Sequence, residues 1–67
     1  MARMYRVEAH DGKGWTFGIR VSQGNRLPEF CNLANADHFE LQPEAMRLRD
    51  RAAQLCGGSL RVVRFRD

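Results

Sequence analysis

The sequence predicts an α+β fold in two layers, a small antiparallel or mixed sheet of the β-β-(β)-α-β type with one helix packed across one face. Three observations carry that prediction. Residues 42–58 have the start, stop and apolar stripe of a helix, residues 4–10 and 15–21 alternate with the period of strands, and residues 59–66 are rich in β-branched and aromatic side chains. At 67 residues the chain makes one domain, 1–67, with a single thin core.

Residues 4–10 place Tyr5, Val7 and Ala9 on one side and Arg6, Glu8 and His10 on the other, the pattern of a half-buried strand. Asp11-Gly12-Lys13-Gly14 then supplies the turn residues of a hairpin. Trp15, Phe17, Ile19 and Val21 alternate with Thr16, Gly18, Arg20 and Ser22, so the second strand offers the heaviest apolar face and is expected to floor the core. Gln23-Gly24-Asn25 is a second turn. Residues 26–33 read as an edge strand, because Pro28 cannot donate to a ladder; a short helix starting at Pro28 and turning Phe30 and Leu33 inward is the competing reading. Residues 34–41 are irregular, with Phe39 and Leu41 expected to drop onto the core and Leu41 to staple the helix start.

The helix itself is punctuated by Pro43 and Glu44 at its start and Gly57-Gly58 at its end. Ala45, Leu48, Ala52 and Leu55 line one stripe while Glu44, Arg47, Asp50, Arg51 and Gln54 lie opposite. In the last strand Leu60 and Val62 fit one face and Val63 and Phe65 the other, so a bulge shifts the register or both faces are partly covered. Three strands before the helix imply the order 3-2-1-4 with the last strand parallel to the first. If residues 26–33 are not a strand, the order becomes 2-1-3 with that pairing antiparallel.

The net charge of +3 is moderately basic, and ten of the eleven cationic residues are arginine. That preference would suit bidentate phosphate or carboxylate contacts, but biased codon usage is the weightier explanation. Two cysteines are too few for the disulfide framework of a small secreted domain, and no apolar run approaches the roughly 20 residues of a membrane span. Met1-Ala2-Arg3-Met4-Tyr5 leads into alternation rather than a signal segment. A cytoplasmic chain of bacterial or phage origin is the expectation. The layout is similar to that of small prophage-type and uncharacterised bacterial domains, an analogy that assigns no function.

Chemistry-bearing constellations are sparse. His10, Cys31, His38 and Cys56 lack the close pairs that aim two ligands at one zinc ion, so no metal or cofactor is expected. Neither cysteine stands in a nucleophile motif, Asp37-His38 reads as a solvated loop pair, and Gly12-Lys13-Gly14 lacks the helix a phosphate loop needs. Arg47 and Arg51 share a helix face that Arg49 does not, and Asp50 or Glu44 neutralises them. The expected binding surface is the far side of the sheet: Val63 and Phe65 amid Arg61, Arg6 and Arg20, with Arg64 and Arg66 together on the other side of the last strand and Trp15 as an anchor beside the hairpin turn.

The expected function is therefore a small non-enzymatic interaction module. It would bind a protein partner, or a second copy of itself, through a sheet face or edge, without contacting a membrane. The alternative is weak, largely sequence-independent nucleic-acid binding through the arginines of the last strand.

Overall fold

The computed structural model describes residues 4–66; residues 1–3, on which part of the expected lead-in falls, and Asp67 lie outside the described residues. Four strands and one helix follow in the order β1 (Met4–His10), β2 (Trp15–Val21), β3 (Pro28–Asn32), α1 (Gln42–Leu55) and β4 (Leu60–Arg66). They form an antiparallel sheet in the order β3-β2-β1-β4 with the helix across one face.

Asp11 sets the β1–β2 turn. Its Oδ1 accepts hydrogen bonds from the amides of Lys13 at 2.7 Å and Gly14 at 2.9 Å, its Oδ2 accepts one from the Thr16 hydroxyl at 2.8 Å, and Gly12 adopts a left-handed φ of 93°. These bonds favour the charged carboxylate, the Lys13 amide most, and hold it below the ordinary aspartate value of 3.8. A depressed acid stabilises the turn above its unfolded value, and that contribution disappears as pH falls through the folded value. The amide resonances of Lys13 and Gly14 should therefore titrate together, with a midpoint below 3.8, and Asp11→Ala should abolish the transition. A midpoint at or above the ordinary value would show that the turn does not rest on this carboxylate.

Next to the turn the register slips. Ala9 pairs with Phe17 but His10 pairs with Trp15, so Thr16 is the extra residue of a β-bulge. Trp15 is thereby turned to the side of the sheet away from the helix, where it meets His10 and Arg61. The expected four-residue floor is thus shortened: Ile19 is fully buried, Val21 is half-buried against the core, and Phe17 is 41% exposed.

Val7, Ala9 and Ile19 from the sheet pack against Ala45, Leu48 and Ala52 from the helix, with Tyr5, Val21, Phe39, Leu60 and Val62 around them. Small residues at Ala45 and Ala52 let the helix approach the sheet closely. Leu55, expected on the same stripe, is exposed at the last turn, just before Gly57 and Gly58 lead the chain away with positive φ. Leu41 occupies the helix N-cap with its side chain exposed, so it staples nothing.

Residues 26–33 divide three ways. Arg26 lies in the turn with φ 58°, Pro28–Asn32 forms the edge strand, and Leu33–Asn35 makes one 3₁₀ turn. The chain then doubles back. Ala36 sits on Gly18, the Asp37 amide donates to the Ile19 carbonyl, and Asp37 Oδ2 accepts from the Val21 amide at 2.9 Å. Phe39 exchanges both backbone hydrogen bonds with Tyr5, at 2.7 and 2.9 Å. Residues 37–39 therefore close a gap where β1 and β2 part beyond the Glu8–Gly18 pair, and Asp37 is a structural acceptor rather than a solvated loop residue.

This return trip corrects the direction expected for the last strand. Asn32 ends β3 at the level of Phe17 and Ala9, whereas Phe39 is at the level of Tyr5, so the irregular segment has already crossed the sheet before the helix begins. The helix and glycine turn cross it again, and β4 enters with Leu60 beside Ala9 and runs antiparallel to β1. The expected order holds. The direction reverses.

Candidate interaction surface

On the side of the sheet away from the helix, Arg6, Glu8 and His10 from β1 meet Arg61, Val63 and Phe65 from β4. Glu8 is only 4% exposed and lies between two arginines. Arg6 donates from Nε to Oε2 at 3.0 Å, with its Nη2 also 3.0 Å from that oxygen, and Arg61 donates from Nε and Nη2 to Oε1 at 3.0 and 2.8 Å. Each guanidinium also lies over a ring: Arg61 is 4.2 Å from the centre of Trp15, and Arg6 is 4.7 Å from the centre of Phe65. His10 packs edge-on against Trp15 at a ring separation of 5.0 Å, and His38 packs tilted against Phe65 at 4.6 Å. The result is one row across the strands, Trp15–Arg61–Glu8–Arg6–Phe65, with a histidine at each end.

The row changes the electrostatics of the surface expected from sequence. Arg6 and Arg61 share one carboxylate, and Arg20 is paired with Glu29 at 2.7 Å, which raises the arginine further above its ordinary value. On the helix, Asp50 pairs with Arg49 rather than with Arg47 or Arg51. Val63 and Phe65 are half-buried within this frame, so the expected apolar patch with a cationic rim is present, with most of its rim internally neutralised.

Arg64 and Arg66 do not project together. Arg64 lies opposite Tyr5 and Arg66 opposite Met4, because the register shifts between Met4 and Tyr5 with Phe65 as the extra residue on β4. The two exposed arginines are split between the faces at the end of an edge strand.

The two sheet edges differ. β3 is five residues long, begins with a proline that has no amide, and receives the Cys56 thiol on the Pro28 carbonyl at 3.8 Å before ending in the 3₁₀ turn. β4 is seven residues long, contains no proline or glycine, and borders only β1. The Ser59 carbonyl accepts from the His10 amide, so by alternation Arg61 and Val63 bond to β1 while the backbone groups of Leu60 and Val62 point outward. Such an edge is a template for another strand.

Hollows in the surface are open to solvent. A polar one of about 610 Å³ is bordered by Arg20, Ser22, Gln23, Glu29, Asn35 and Asp37. An apolar one of about 330 Å³, which the alternation pattern did not foresee, is bordered by Ala9, His10, Asp11, Phe17 and Phe30. Burial pushes the Cys31 thiol up, away from the thiolate form that reacts. Among the described residues no group of three or more His, Cys, Asp or Glu could hold a metal ion, and no helix is long and apolar enough to cross a membrane. Comparison with protein families, with curated proteins and with solved structures finds no match to this chain.

Proposed function

We propose that this chain is a non-enzymatic interaction module that accepts an extended segment of a protein partner as a fifth strand on the open edge of β4. The single observation carrying this reading is the contrast between the edges, β3 blunted by Pro28 and β4 free of proline and glycine, with its bulge at Phe65 lying beyond Leu60 and Val62, which present backbone groups outward. Strand addition takes its affinity from main-chain hydrogen bonds and its selectivity from alternate side chains, which suits a domain with so little interior. Nucleic-acid binding has less support, because Arg6, Arg61 and Arg20 are already engaged by carboxylates and Arg64 and Arg66 point to different faces.

Selection of extended peptides against the domain tests the proposal. Binders should protect the amides of Leu60 and Val62 from hydrogen exchange, while amides of β3 keep their rates. Val62→Pro removes an outward donor at a position where an edge strand tolerates it, and it should weaken binding at least tenfold while the far-ultraviolet dichroism stays native. Protection confined to β3, or to no strand, would remove the proposal.

A further inference from the structure

Resting on that reading, we infer that the strand added to β4 is β4 of a second copy, paired antiparallel about a two-fold axis at Val62. This guest needs no ordering. β4 is already held extended on β1, whereas a free peptide gives up its conformational freedom on joining an edge. Antiparallel addition also continues the pattern of every pair in this sheet and is the more stable ladder per residue.

Two constraints select the register. The backbone groups directed away from β1 belong, by alternation, to Leu60, Val62 and Arg64, the last just short of the bulge at Phe65. Like charges directly opposite one another destabilise a strand pair. An axis at Arg61 or Arg64 sets that arginine against its own copy, and an axis at Leu60 pairs little more than the strand ends. An axis at Val63 makes Leu60 pair with Arg66, beyond the bulge and out of phase with the ladder. The axis at Val62 avoids all of these. Val62 exchanges both backbone hydrogen bonds with its copy, Leu60 does so with the second copy's Arg64, and Arg61 faces the second copy's Val63. Arg61 brings a compensated charge to that pair, since Glu8 already accepts two hydrogen bonds from it. The axis stands perpendicular to the sheet, so both helices lie on one face of a continuous sheet and both Trp15–Arg61–Glu8–Arg6–Phe65 rows on the other.

Sedimentation velocity over a concentration series, with hydrogen exchange read alongside, tests the pairing. A contact made by one edge strand belongs to the small, transient class of interface, so a reversible dimer is expected with a dissociation constant on the order of 10–100 μM. The amides of Leu60, Val62 and Arg64 should gain protection as the dimer forms, and Val62→Pro should raise the dissociation constant at least tenfold while the far-ultraviolet dichroism stays native. Single cysteines read the register. Residues paired by hydrogen bonds across antiparallel strands have Cα atoms about 5.5 Å apart, within disulfide reach. In oxidised glutathione Val62→Cys should form covalent dimers at least tenfold faster than the unsubstituted chain, whose Cys31 and Cys56 set the background, and Arg64→Cys should not. Acceleration at Arg64→Cys, or none at Val62→Cys, would overturn the register. A chain that stays monomeric to about 1 mM while extended peptides still protect Leu60 and Val62 would overturn self-pairing and leave strand addition standing. A dimer whose β4 amides remain unprotected would overturn self-pairing as well. A monomer that also binds no extended peptide would overturn both this inference and the reading beneath it.

Discussion

Glu8→Gln is expected to destabilise the domain by about 2–3 kcal/mol, although it changes one oxygen for one nitrogen. Breaking a buried ion pair by removing one partner costs roughly 3–5 kcal/mol, because the remaining charge is left desolvated. Here both arginines lose their counter-charge, and one of them meets an amide nitrogen that donates where a carboxylate oxygen accepted. The lower figure follows from exposure: the Arg6 side chain is 21% exposed and that of Arg61 46%, so both recover part of their hydration. The pairing itself is not a source of net stability by the same reasoning. Replacing Arg6, Glu8 and Arg61 together with apolar residues of similar size should restore most of what the single change loses. Chemical denaturation of the single and triple variants measures both effects. A Glu8→Gln loss below about 0.5 kcal/mol would mean that the row is a surface ion pair of the ordinary weak kind.

Gly18→Ala should also be costly, against the preference of strands. An alanine in a strand interior is worth roughly 0.5–1 kcal/mol over glycine through backbone entropy alone. At Gly18, however, a Cβ would stand 2.5 Å from the Cβ of Ala36 and 3.5 Å from both the Ala36 Cα and the Asn32 carbonyl oxygen. Carbon atoms rest about 3.5–4.0 Å apart, so Ala36 must retreat by about 1 Å. It cannot do so alone, since Asp37 next to it is bonded to Ile19 and Val21. Overpacking of this kind costs roughly 1–3 kcal/mol and wins over the entropy gain. For a domain of this size each kcal/mol lowers the melting temperature by about 4–8 °C. Ala36→Gly in the same chain should return more than half of the loss, giving a coupling between the two sites that a thermal double-mutant cycle resolves. Additive effects would show that the segment over Gly18 yields freely.

The parts of the fold visible from sequence are those with local causes. Pro43, Glu44 and the glycines after Leu55 bracket the helix whatever it packs on, and the two-residue period of residues 4–10 survives because nothing interrupts it. Counting by twos fails where a strand carries an extra residue. Thr16 turns Trp15 to the outer face with no mark in composition, whereas the bulge in the last strand is one of the two readings of its facing and lies at Phe65, where it separates Arg64 from Arg66. The direction of β4 was hidden for a related reason: residues 33–39 look like a connector, yet they traverse the whole sheet and supply backbone partners to two strands.

The row on the outer face of the sheet was partly visible. Arg6, Arg61, Val63 and Phe65 do converge, as the alternation of both strands requires. The carboxylate that organises them was not assigned a role, because the Glu8–Arg61 contact joins residues 53 apart in the chain. A signal was present nonetheless: a charged residue at the centre of a central strand, flanked by Val7 and Ala9, has to find its counter-charge on the neighbouring strands.

The pairing of Met4 with Arg66 brings the two ends of the described chain side by side at one corner of the sheet. A short covalent bridge there would leave every ladder intact, and the chain could be reopened at the exposed turn over residues 23–25. The same geometry makes the domain easy to seat as an insert within a larger polypeptide, whose entering and leaving segments would flank the arginine end of β4 and so govern access to it.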